Sequence, residues 1–226
     1  MGSTNLARYA ARIGAGLVLL AGLLLADAAA AVREFYFARL GSERGLANAV
    51  TALRQDRQGF VWVGTQGGLH RFDGQRYVAY RHDPRDPASL PESFVTALEL
   101  DGEHGLWVGT QSQYVARLDL RDGRVTRLQP AAGGYTSRQV RALLAQERWL
   151  WVATLSGLER IEIATGTRRR LLTLPSETLR LNPLAALLPD GADAVWYASH
   201  AGVYRVTDVG VQRISARPAR SLLRDR

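Results

Sequence analysis

The chain of 226 residues contains no cysteine and no lysine, and one methionine. Without cysteine there are no disulfide staples, no thiolate nucleophile, no iron–sulfur cluster and no cysteine-ligated zinc. Without lysine there is no Schiff-base chemistry and no P-loop lysine. The formal net charge of +8 therefore comes from arginine alone. Those arginines are scattered rather than striped, so they read as a solvated basic surface ahead of a nucleic-acid or acidic-glycan surface, and no nucleic-acid partner is expected. Gly-x-Ser-x-Gly, His-Glu-x-x-His and glycine-rich phosphate loops are also missing. The four histidines, at 70, 82, 104 and 200, have no partner at metal-ligand spacing. These absences point away from an enzyme, and no cofactor or metal is expected.

What is present begins with a targeting segment. Arg8 and Arg12 precede an uncharged apolar run from Ile13 to Ala26, and small residues follow at Ala26-Asp27-Ala28 and Ala28-Ala29-Ala30. That is the layout of a signal peptide over residues 1–30, with a helical apolar region too short to span a bilayer. Residues from 31 onward are expected outside the cytoplasm, in the periplasm or another extracytoplasmic location. Residues 31–49 form a lead-in, with a strand at 34–40 (EFYFARL) that lacks a partner.

Four copies of one unit follow. Trp62, Trp107, Trp151 and Trp196 are separated by 45, 44 and 45 residues. The units read VTALRQDRQGFVWVGTQGGLHRFDG, VTALELDGEHGLWVGTQSQYVARLD, VRALLAQERWLWVATLSGLERIEIATG and LAALLPDGADAVWYASHAGVYRVTD. A period near 45 residues is the signature of a radial repeat architecture. Each unit parses into four short strands punctuated by turns at Asp56 and Gly59, Gly64, Gly68, Gly105, Gly109, Gly157 and Gly202. Hairpin turns recur at Asp73-Gly74, Asp122-Gly123, Thr165-Gly166 and Val209-Gly210. The second strand, FVWVG in the first unit, is apolar on both faces and needs cover on both. Sheets stacked about an axis supply that cover, so the expected fold is all-β: a partial β-propeller of about four four-stranded blades. The blades are placed at about 50–80, 95–128, 140–172 and 184–215, with a tail over 216–226. A sandwich has no reason to repeat at this pitch, and a helical solenoid would show a period of 3.6 rather than two.

The tryptophans at the common beat are assigned to the core rather than to sugar stacking. Trp149 lies off the beat, in the turn between the first two strands of its unit, and is expected at the surface. Asp56, Asp101 and Asp190 are expected to bond their own turn backbones. Arg168-Arg169-Arg170 reads as a solvated outer edge that discourages strand pairing.

The first two units, with the lead-in FYFARLGSERGLANAV, resemble the repeats of two-component regulator propellers. The resemblance covers about residues 34–214, and weakens where Gln146-Glu147-Arg148 replaces the Asp-x-x-Gly turn, Ala153 replaces glycine and Tyr197-Ala198-Ser199 replaces Val-Gly-Thr. It implies an extracytoplasmic sensor input of a hybrid histidine kinase or diguanylate cyclase, attached to the inner membrane in the full-length receptor. The output domain would lie outside this chain, which then reads as an N-terminal fragment. A periplasmic ligand is implied, with oligosaccharides among the candidates, and the loop from His82 to Ser93 is one place for its contacts. The alternative is a secreted interaction module that assembles through its open blade ends with further repeats or another chain. Turns such as Ile163-Ala164-Thr165-Gly166 also resemble those of quinoprotein propellers, but the docking tryptophan of those enzymes does not follow here.

Overall fold

In a computed structural model, residues 49–128, 137–174 and 185–225 are described. The expected signal peptide, the lead-in and the strand at 34–40 lie outside them. The described residues form four antiparallel sheets of four strands, each ordered as it occurs in the chain. Blade 1 comprises β1 (Val50–Gln55), β2 (Val61–Thr65), β3 (Gly68–Phe72) and β4 (Tyr77–Tyr80). Blade 2 comprises β5 (Val95–Asp101), β6 (Gly105–Thr110), β7 (Val115–Asp119) and β8 (Val125–Arg127). Blade 3 follows with β9 (Val140–Gln146), β10 (Trp149–Thr154), β11 (Gly157–Glu162) and β12 (Arg168–Thr173). Blade 4 has β13 (Ala186–Pro189), β14 (Val195–Ser199), β15 (Gly202–Val206) and β16 (Val211–Ser215). The first strands of successive blades lie side by side, so β1, β5, β9 and β13 line the axis.

The second strands carry the core, as their double apolarity demands. All six residues of β6 are buried, and five of six in β10. The first three tryptophans of the beat share clusters with the following blade. Trp62 packs with Leu106 and Val108, Trp107 with Leu150 and Val152, and Trp151 with Val195 and Tyr197. Trp62, Trp107 and Trp151 are buried, while Trp196 is only half-buried. The reason is positional: no blade follows the fourth among the described residues.

Two glycines assigned to turns from sequence have another role. Gly64 and Gly109 lie within β2 and β6. A Cβ on Gly64 would stand 2.7 Å from Val95 Cγ1, and one on Gly109 would stand 2.5 Å from Val140 Cγ1. These glycines let the first strand of the next blade approach. Where Ala153 occupies that place in blade 3, the facing residue shrinks from valine to Ala185, and both alanines belong to one cluster. The added methyl on one side is offset by a smaller residue on the other, so the junction avoids overpacking. Gly68, Gly157 and Gly202 do sit at the hairpins, with φ of 145°, 139° and 133° and the neighbouring strand's carbonyl too close for a Cβ. In blade 2 the hairpin is one residue longer, and Tyr114 takes the left-handed conformation with φ 71°. Gly59 also has positive φ, whereas Gly105 opens β6 against Asp101 and Arg117.

Candidate functional site

Polar contacts between blades join positions one repeat apart. Arg54 Nη2 donates to Glu99 at 2.8 Å, Thr51 Oγ1 to the Val95 carbonyl at 2.7 Å and Tyr114 Oη to Glu159 at 2.9 Å. Trp149 Nε1 donates to Asp193 at 2.7 Å, 44 residues on. Trp149 thus opens β10 rather than sitting in a turn, and it is half-buried. The Arg160 guanidinium stands 3.7 Å from its ring centroid and the Arg148 guanidinium 4.5 Å. The two-residue hairpin turn before it places Glu147 in the left-handed region at φ 51°.

The turn aspartates do more than close turns. Asp56 accepts from the backbone N–H of Gln58 and of Phe60 at 3.0 Å, and its second oxygen takes the Trp62 indole N–H at 2.8 Å. Asp101 instead accepts from Arg117 at 2.5 Å, and Asp190 from Arg205 at 2.6 Å. These arginines belong to a regular set that strand patterning alone leaves among the solvated charges. Arg71, Arg117, Arg160 and Arg205 stand directly across from Trp62, Trp107, Trp151 and Trp196 in the third strands. Their signal was the spacing from each tryptophan of 9, 10, 9 and 9 residues. They lie over aromatic faces or pair with turn aspartates, and so brace each blade.

The histidines do not assemble a site. His70 is buried, and burial followed by the Arg81 charge pushes its imidazole below its ordinary value. Burial lowers His200 likewise. Among the described residues there is no group of three or more His, Cys, Asp or Glu that could hold a metal. The loop from His82 to Ser93 is stapled to itself and to blade 2. His82 Nδ1 lies 2.7 Å from the Leu90 carbonyl, Arg127 Nη2 donates to the Ser89 carbonyl at 3.2 Å, and Leu90 is buried in the core.

A cavity of ≈ 310 Å³ opens at the axis, walled by the first strands of all four blades. Thr51, Thr96, Arg141 and Ala186 occupy equivalent places along those strands and all line it. Arg54 lines it as well, already paired with Glu99. Burial raises the Glu99 carboxyl above its ordinary value, against the pull of Arg54.

Residues 45–67 match the family described as "Two component regulator propeller". A stretch of 79 residues, 34% of this chain, is 35% identical to Histidine kinase P4 of Formosa agariphila and spans 6% of that protein. The fold is similar to the extracellular domain of the hybrid two component system BT3049 from B. thetaiotaomicron, with a TM-score of 0.65 and 24% identity over 78% of this chain and 26% of that one. It is also similar to the extracellular domain of the one component system BT4673 from B. thetaiotaomicron, with a TM-score of 0.56 and 19% identity over 74% of this chain and 24% of that one. The chain spans about a quarter of the length of these two domains. Its blades are those of a β-propeller, and the stretch that matches the two component regulator propeller runs from the lead-in through β2 of the first blade.

Proposed function

We propose that this chain is the ligand-sensing input of an extracytoplasmic signalling receptor, located in the periplasm and coupled to a kinase or cyclase output elsewhere. The carrying observation is the 79-residue likeness to a histidine kinase, beside the match of residues 45–67 to the two component regulator propeller. The extracellular domains named above share the fold and support the same location. The chain's own part is to bind and to transmit a shift between two states, not to perform chemistry.

Two measurements test this. Alkaline phosphatase fused to the C-terminus of the full chain is expected to be active, as it is only outside the cytoplasm; an inactive but stable fusion refutes the location. A panel of neutral and acidic oligosaccharides is then screened by thermal shift. A ligand at a hundredfold its Kd stabilises by about 2.7 kcal/mol, which is several degrees for a domain of this size. Melting temperatures unchanged by every member would refute oligosaccharide sensing.

A second reading has its own observation. Val50 and Leu53 on β1 are 48% and 55% exposed, and Val211 and Ile214 on β16 are 39% and 48% exposed. Apolar faces of this kind fit further repeats or another chain. Light scattering on the full chain tests it: concentration-dependent association supports assembly, and a monomer at all concentrations refutes it.

A further inference from the structure

In the axial ring described above, three of the four equivalent residues are small: Thr51, Thr96 and Ala186. The fourth is Arg141, whose long cationic side chain stands where the repeat otherwise places a hydroxyl or a methyl. Its Nε is buried with no hydrogen-bond partner, and among the described residues no carboxylate pairs with its guanidinium. Burial alone lowers it below the ordinary arginine value, with no anion to offset the cost. The hydroxyl of Thr96, on the neighbouring strand of the same cavity, is buried and unpartnered too. The cavity lining contains no Asp or Glu, and its other arginine, Arg54, is neutralised by Glu99.

An unpaired buried donor costs free energy that a ligand acceptor recovers. Guanidinium N–H groups form a planar fork that matches the two oxygens of a carboxylate or sulfate. The volume of ≈ 310 Å³ sits at the small end of ligand cavities and suits a monosaccharide-sized solute.

We infer that the axial cavity binds a small oxyanion, either a free one or the acid group of a sugar acid, through Arg141 and the Thr96 hydroxyl. This deepens the sensing proposal and rests on it for the purpose of binding, but not for binding itself.

The test is calorimetric titration of the full chain at low salt with sodium sulfate, D-glucuronate and D-glucose. Saturable binding of sulfate or glucuronate, with heats of dilution only for glucose, is the expected result. Sulfate binding as tightly as glucuronate identifies a free oxyanion; tighter glucuronate identifies a sugar acid. Arg141→Thr restores the residue found at 51 and 96, so the blade should fold, and it is expected to weaken binding by about tenfold or more. Arg141→Lys keeps the charge but loses the fork and should fall between the two. Thr96→Val should weaken binding a fewfold. Equal affinity in wild type and Arg141→Thr, or no binding of either anion to wild type, overturns the inference. In the thermal-shift panel, a response to neutral oligosaccharides alone would overturn this inference and leave the sensing proposal standing. Sulfate binding without any oligosaccharide response would uphold this inference and refute oligosaccharide sensing.

Discussion

Leu53 and Leu98 occupy the same place in successive repeats, yet 55% of one is exposed and 3% of the other. Val50 is 48% exposed, while its counterparts Val95 and Val140 are fully buried. The tryptophans repeat the contrast at the other end: Trp151 is fully buried against blade 4, and Trp196 is half-buried. A residue of this repeat is thus buried by its neighbour rather than by its own blade. Stability should therefore be concentrated at the three junctions, where each blade supplies half of a core that it cannot close alone.

The sharpest way to break this comparison is at the tryptophans. Trp107→Ala is expected to cost about 3–5 kcal/mol in urea unfolding, and Trp196→Ala clearly less, because only the first indole is enclosed on both sides. Equal losses would show that burial within the blade matters more than the junction. Next come the leucines. Leu98→Ala should lose about 2–5 kcal/mol and Leu53→Ala within about 0.5 kcal/mol, read from the same unfolding curves.

The junction itself is sharpened by a double-mutant cycle. Gly109→Ala should destabilise by about 1–3 kcal/mol through overpacking on Val140. Adding Val140→Ala recreates the Ala153–Ala185 pairing of the next junction, so the two changes should couple favourably by about 0.5–3 kcal/mol. Additive losses would deny that the pairs are interchangeable.

The smallest effect concerns pH. Burial and Arg81 hold His70 below the usual imidazole range, so the unfolded chain binds the proton more readily. This contribution is complete above about pH 6.5 and is lost as the pH falls through that value toward the lower folded one. His70→Leu should flatten the decline of melting temperature between pH 7.5 and 5, whereas an unchanged slope would assign it to other groups.

Much of this architecture was legible from residues. The tryptophan beat and the double apolarity of the second strands require sheets stacked at a fixed pitch, and four such sheets are present. The glycines were harder, because a glycine in sequence announces a turn and a close approach with the same letter. Gly64 and Gly109 belong to the second class, and only the facing valines reveal it. Arginine on a strand reads as solvated, which hid Arg71, Arg117, Arg160 and Arg205 despite their regular distance from the tryptophans. Trp149 seemed a turn residue because its unit had lost the Asp-x-x-Gly signal, yet Asp193 and Arg160 hold it in a strand. The axial cavity was illegible for a different reason. That Arg141 breaks a Thr-Thr-Arg-Ala series is visible in the aligned units, but its meaning depends on which strand faces the axis.

The size exchange at successive junctions decides how this chain could lose a unit. Excising residues 95–139 would bring Gly64 against Val140 and the Trp62 ring against Leu150 and Val152, the same shapes it meets now. Excising residues 140–184 would set Gly109 against Ala185, leaving a void, and press Trp107 on Tyr197, a larger side chain than Val152. Recombination between repeats is therefore tolerated on one side of blade 3 and penalised on the other, which gives an otherwise modular chain a fixed polarity.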